Sequence, residues 1–324
     1  MLGFFENIEA CCWSGDTLSF NCEEIMQSSI QTRRDLLKAG AVLAAASPFF
    51  AQALSSAAQP ARPKILFFTK SAGFEHSVVK RDGDSPAYAE RVLKEFAGAA
   101  GFDVEATKDG TVFDSDLDQY AAFFFYTTED LTQAGNDKTP PMSKVGKQKL
   151  LDAIAGGKGF LGSHCASDTF HSPGDRRKSQ ETPDPYIAML GGEFISHGPQ
   201  QEAKMLVVDS QFPGIGTQAE FKLNEEWYSL KNFASDLHVL LVQETAGMQG
   251  QDYVRPPYPA TWVRKHDKGR VFYTSMGHRE DVWSNPLFQA IVIGGLKWAT
   301  GQVDADVTPN LLTATPQAIE LPKG

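Results

Sequence analysis

Three short runs of the chain contain almost no polar residue: Ile65-Leu66-Phe67-Phe68, Ala121-Ala122-Phe123-Phe124-Phe125-Tyr126 and Phe160-Leu161-Gly162-Ser163. They are too brief for helices, and they lack the polar alternation of a strand that is wetted on one side. Such runs are expected of strands covered on both faces, the signature of a parallel sheet. Amphipathic stretches separate them. Ser85 to Ala100 carries Tyr88, Val92, Leu93 and Phe96 on one helical face, with Ser85-Pro86 placed as N-cap and first helical residue and Gly101 as the stop. Phe102 to Ala106 supplies another strand, and Ser143 to Ala155 a helix closed by Gly156-Gly157. The alternation predicts an α/β fold: an open, mostly parallel twisted sheet with helices on both faces. The C-terminal half differs. Lys204–Val208, Val239–Gln243, Thr261–Arg264 and Val271–Thr274 read as strands with few helices between them, so antiparallel strands are expected to be added there. Pro286 to Trp298 is the last helix, and a proline-containing tail from about Gly301 should pack on the surface or fray.

The front of the chain reads as an address. Thr32-Arg33-Arg34-Asp35-Leu36-Leu37-Lys38 precedes an alanine-rich apolar run to Phe50 and the small-x-small site Ala51-Gln52-Ala53. This is the layout of a twin-arginine export signal. It predicts a periplasmic or otherwise exported protein that meets the twin-arginine machinery. The run is short of the roughly 20 apolar residues of a membrane span, so no stable span is expected after cleavage. The expected plan is residues 1–31 as a disordered or mis-called upstream extension, 32–53 as signal, 54–63 as linker, 64–300 as the α/β domain and 301–324 as tail. A net charge of -10 and short, isolated basic clusters argue against nucleic-acid binding. Three of the four cysteines precede the arginine pair, which leaves Cys165 in the exported part and no internal disulfide.

Histidines carry the functional signal. His76, His164 and His278 each stand past the end of a predicted strand, and ligands of open α/β sheets bind beyond the carboxyl ends of the strands. Gly162-Ser163-His164-Cys165-Ala166 reads as a sharp strand-to-helix elbow that presents one side chain. With Gly277-His278-Arg279-Glu280 downstream, whose His278 and Glu280 resemble a base and its orienting acid, it resembles the arrangement of class I glutamine amidotransferases. The elbow position holds His164, however, and Cys165 is displaced by one residue. A thiol amidohydrolase is therefore the lesser alternative, and Cys165 reads as a small buried thiol. His197 and Glu226 are further candidates; Asp168 could equally cap the helix after the elbow; His171, His238 and His266 read as surface or structural. Neutral imidazoles with a carboxylate suit a divalent metal such as zinc, for which His76, His164, His197 and His278 are the candidate ligands. Without metal, His76, His164, His278 and Glu226 suit acid/base catalysis.

Several segments together resemble the ThuA-like family, named for trehalose utilisation, which shares the class I glutamine amidotransferase-like (flavodoxin-like) fold. They are Gly159 to Thr169, Leu190-Gly191-Gly192-Glu193-Phe194 with His197, Asn224 to Tyr228, Pro259 to Arg264 and Gly269 to His278. Alanine is usual in that family where this chain has Cys165. The resemblance implies a small-molecule carbohydrate or keto-sugar substrate, on which a hydrolase, lyase or isomerase would act, or which a non-catalytic accessory protein would bind. On that expectation Phe74, Trp227, Tyr228 and Trp283 would stack on sugar faces, with Asp168 as a further contact.

Overall fold

The computed structural model describes residues 61–323. The expected extension, signal and linker up to residue 60 lie outside the described residues. Among the described residues eleven strands run in chain order: β1 Lys64–Phe68, β2 Asp103–Thr107, β3 Ala122–Phe125, β4 Gly159–Ser163, β5 Glu193–His197, β6 Gln201–Val207, β7 Glu220–Glu225, β8 Tyr228–Lys231, β9 His238–Gln243, β10 Tyr258–His266 and β11 Gly269–Thr274. Nine of them form one sheet in the order β2-β1-β3-β4-β11-β10-β9-β6-β7, while β5 and β8 pair separately. From β2 to β11 all neighbours are parallel, and from β11 outward they are antiparallel. The parallel part has the doubly wound order in which the chain reverses direction beside the first strand, the usual place for a ligand.

Alternate side chains of the apolar runs serve opposite faces, as the strand repeat demands. Phe67 and Phe124 pack against Trp283. Their neighbours Phe68 and Phe125 meet Phe113, Phe160 and Tyr186 on the other side. Both faces are therefore roofed, the first by helices Glu280–Trp283 and Pro286–Ala299, the second by helices Lys144–Ala155 and Pro185–Leu190. Local chemistry sets the helix starts. The Ser143 hydroxyl accepts the Gly146 N–H at 2.8 Å, and the Asn285 carboxamide accepts that of Leu287 at 2.8 Å just ahead of Pro286.

Several local expectations are corrected. The first long helix runs Tyr88–Ala99, so Ser85 is not its cap; the Glu90 carboxylate instead reaches back to the Ala87 N–H at 2.9 Å. The elbow leads into a five-residue 3-10 helix, His164–Asp168, not a regular α-helix. Strands β5, β7 and β8 escaped the sequence pattern. β7 is an edge strand with alternating exposed charges, and β8 is a four-residue strand whose Lys231 is buried. Lys231 is tolerated because its ammonium donates to the Lys178 carbonyl and to Gln180, 3.9 Å from Glu193. The tail packs: Leu311 and Ala318 are buried, and the buried Arg255 donates to the Ala318 carbonyl at 2.7 Å. No helix among the described residues is long and apolar enough to cross a membrane.

Candidate functional site

The register explains why distant histidines meet. Phe68, Phe125, Gly162 and Tyr273 pair in one row across β1, β3, β4 and β11. These four strands thus end level, and the loops that leave them emerge at one edge. His164 comes two residues beyond its row member, and Ser275 two beyond Tyr273. His278 arrives after a turn at Gly277, and His76 after the longer loop from β1. The chain leaving β7 lies over the same edge and brings Glu225, Glu226 and Tyr228.

His164 has left-handed backbone (φ +47°), the strained turn expected of an elbow. Its ring is fully buried. Nδ1 donates to the Ser275 carbonyl at 3.1 Å, which leaves Nε2 as a lone pair facing the cluster. Nε2 stands 3.2 Å from His278 Nδ1 and 3.6 Å from Glu226 Oε2, and the last two atoms are 3.1 Å apart. His76 completes the group: one donor atom from each of His76, His164, Glu226 and His278 lies within 4.8 Å of the other three. The His76 ring meets those of His164 and His278 edge-on at 5.0 and 5.2 Å, and its buried Nδ1 has no hydrogen-bond partner.

The surroundings set the charge states. Burial lowers His164 to about 4, against the pull of Glu226. Burial, followed by the charges of His164 and His278, holds His76 well below the usual histidine range. Burial works against the Glu226 carboxylate too, but bonds and charge from His164 and His278 outweigh it and hold it far down. His76 and His164 are thereby held neutral beside an anionic carboxylate. The His278 tautomer is dictated from outside. Arg279 can only donate, and it does so to Gln200 Oε1 at 2.7 Å. Gln200 must then donate through its nitrogen to His278 Nε2 at 2.9 Å. The His278 proton is left on Nδ1, directed at Glu226 and the lone pair of His164.

Glu225, which the sequence did not single out, straps the site together. One carboxylate oxygen accepts the Glu226 N–H at 2.8 Å; the other accepts those of Gly277 at 2.8 Å and His278 at 3.1 Å. Burial raises this carboxyl to about 7 although the three N–H groups oppose the rise. The neighbouring Glu280, placed by sequence beside His278 as its orienting acid, is exposed and opens a short helix; the partner of His278 is Glu226. Gln200 and Arg279 left no sequence signal, because their role exists only across a gap of 79 residues. Glu225 was visible only as the first of two adjacent glutamates.

The other candidates divide. Tyr228 forms a wall: its ring lies 4.0 Å from that of His164, and its hydroxyl is 3.4 Å from His76 Nε2. Phe74 stands at the rim, 68% exposed and edge-on to His76 at 5.0 Å. His197 is on the outside, 43% exposed, with Nδ1 3.5 Å from the other oxygen of Glu226. Trp227 and Trp283 cannot stack on a ligand. Both are fully buried, and their indole N–H groups bond the carbonyls of Gln201 and Gly277. Asp168 belongs to a second group with Glu129 and His171. There it bonds His171 Nε2 at 2.7 Å, while Glu193 takes Nδ1 at 3.3 Å and Arg176 neutralises Glu129 at 2.8 Å. Each charge in that group has an opposite partner, so it reads as a structural network. Cys165 is buried and burial pushes its thiol up, which withholds the thiolate that amidohydrolysis needs. An open hollow of about 420 Å³, lined by Ser77, Gln200, Arg279, Glu280 and Asp281, borders the cluster at His278.

Comparison with known proteins agrees with this architecture. The family model described as ThuA, trehalose utilisation, matches residues 64–299. A ThuA-like protein of Bacteroides uniformis superposes with a TM-score of 0.54 at 18% identity, over 75% of this chain and 93% of that one. A ThuA-like protein of Parabacteroides merdae does so with 0.52 at 17% identity, over 76% and 92%. At such identities the likeness speaks for the fold. No curated protein matches the sequence closely enough to count as a relative.

Proposed function

The chain belongs to the ThuA (trehalose utilisation) family, and on that premise we propose that it is an exported enzyme acting on a carbohydrate or keto-sugar, with its reaction centre at His76, His164, His278 and Glu226. The observation that carries this reading is the convergence of three imidazoles on one ionised carboxylate, with all four donor atoms within 4.8 Å. Nothing in the packing of a sheet edge requires such a group, and perturbed titratable clusters beside a cleft concentrate at reaction centres. The export part of the proposal rests on the arginine pair and apolar run of residues 32–53.

The chemistry suits a sugar that bears a keto group. The carbonyl acidifies the adjacent C–H, and a neutral imidazole nitrogen can take that proton. Return of the proton to the former carbonyl carbon, with the proton of the adjacent hydroxyl passing to the old carbonyl oxygen, gives an isomer; loss of an alkoxide from the β-carbon, protonated as it leaves, gives an elimination product. His76 and His164 are held neutral and so keep the lone pair that such a base needs. The exposed face of Phe74 offers an apolar surface for a pyranose ring at the rim.

The test is a screen of 3-keto and unmodified glycosides with the purified protein and with His164→Asn, chosen because asparagine tolerates left-handed backbone. Turnover by the parent and at least a hundredfold loss in the variant, with the melting temperature kept, is expected. Tight sugar binding without product would replace this reading by that of an accessory protein.

A further inference from the structure

We propose that the cluster is a binding site for a divalent cation of the zinc class, held by His164 Nε2, His278 Nδ1 and Glu226 Oε2, with His76 as the fourth protein group at the ion. The inference deepens the reading of this cluster as a chemical centre. It rests on that reading for the use of the ion, not for its binding.

The geometry is quantitative. The three donor atoms form a triangle with sides of 3.1, 3.2 and 3.6 Å. An ion with bonds of about 2.05 Å and tetrahedral angles needs donors about 3.35 Å apart. The centre of the observed triangle is about 1.9 Å from each corner, so an ion about 0.7 Å out of its plane is about 2.05 Å from all three. Two imidazoles and one carboxylate make the donor set of a catalytic zinc, and His76 is the protein group available to the fourth position. The proton count agrees. Two of the three atoms carry lone pairs directed at each other, and the single His278 proton serves both. A cation in its place would satisfy all three.

Two independent observations support the site. His164 is oriented as metal-bound imidazoles usually are, with its remote N–H on a backbone carbonyl that fixes tautomer and ring direction. His76 is a buried side chain with an unpartnered nitrogen in the same group of four. A buried orphan nitrogen is costly unless something bonds it. The set differs from that expected of the sequence: Glu226 enters as a ligand, and His197 drops to the rim. Binding also has a structural consequence. His278 must ligate through Nδ1 and carry its proton on Nε2, so the Gln200 carboxamide turns over and its link to Arg279 breaks.

The experiment uses the full-length protein, stripped with a chelator, dialysed and titrated with zinc sulfate by calorimetry; cobalt(II) chloride serves as a spectroscopic probe. One equivalent of zinc is expected, with the intense visible absorption of low-coordinate cobalt. Glu226→Gln and His278→Gln should each lower affinity at least a hundredfold, and Asp168→Asn, in the second cluster, should change it less than threefold. Less than about 0.2 equivalents bound to folded parent protein, or undiminished binding by Glu226→Gln, would overturn the proposal. His164→Asn is a third variant, and the two glutamine variants decide the matter if it fails to fold. Binding is read without any sugar, so failure of the carbohydrate reading leaves this result standing, and the reverse holds too.

Discussion

Replacing Gly277 by alanine should damage this protein more than any change of one methyl group at its surface. Gly277 forms the turn between β11 and His278, with φ at +124°, a region that residues with a Cβ rarely enter. A Cβ there would stand 2.6 Å from Ser163 Oγ and 3.5 Å from the Tyr126 ring. Neither neighbour is free to yield. The Ser163 hydroxyl donates to the Met276 carbonyl at 2.7 Å, and Tyr126 donates to the Gly277 carbonyl at 3.1 Å. Backbone strain of about 1–3 kcal/mol adds to about 1–3 kcal/mol of overpacking, so a loss of about 2–6 kcal/mol is expected. At about 2–4 °C per kcal/mol for a domain of this size, the melting temperature should fall by roughly 4–24 °C. Differential scanning calorimetry measures it. The opposite sign is expected at Gly98, inside helix Tyr88–Ala99, where a Cβ meets nothing within 4 Å. Gly98→Ala should stabilise by about 0.5–1 kcal/mol. A Gly277→Ala protein that melts within about 2 °C of the parent would refute the account of the turn, and with it the claim that His278 is held in place by it.

The same geometry yields further outcomes. His171 should still be protonated at pH 8, because its bonds to Asp168 and Glu193 overcome burial and raise it to about 9; histidine ring NMR would show it charged while His164 stays neutral down to about pH 4. A raised histidine adds stability that is complete below about pH 6.5 and fades as pH rises through 9, so His171→Gln should cost most in acid and neutral solution. Glu225 has the reverse consequence. Its folded state keeps a proton up to about pH 7 that the unfolded chain releases near 4.5, so stability falls as pH rises across that interval, by about 3 kcal/mol. In chelated protein, denaturant melts at pH 5 and pH 8 should show that slope flattened in Glu225→Gln. Cys165, buried with its thiol raised, should resist iodoacetamide in the native protein and react on unfolding, as mass spectrometry would report.

The parallel half of the fold was legible because its information is local. Runs such as Phe123-Phe124-Phe125 can only be strands covered on both sides, and Ser143 and Asn285 mark helix starts within two or three residues of themselves. His76, His164 and His278 were found for the same reason, each near the end of a recognisable strand. What sequence could not reveal depends on pairs. Glu280 looked like the partner of His278 because it is near in the chain, yet Glu226 fills that role from across the sheet. Trp227 and Trp283 looked like stacking platforms because aromatic residues near a site can be either wall or core, and only packing decides. Strands β5, β7 and β8 carry charges whose compensation is tertiary, so their pattern is broken when read alone.

The strap at Glu225 has an implication for anyone who would simplify this protein. The doubly wound strands supply three rings, but the acidic groups between and behind them come from the far side of an appended set of ribbons. A trimmed scaffold that ended with the parallel strands would inherit bases with no counter-charge and a histidine loop with nothing to moor it. The appendage therefore supplies half of the proposed centre, and loosening it should disperse the cluster even where the doubly wound strands persist.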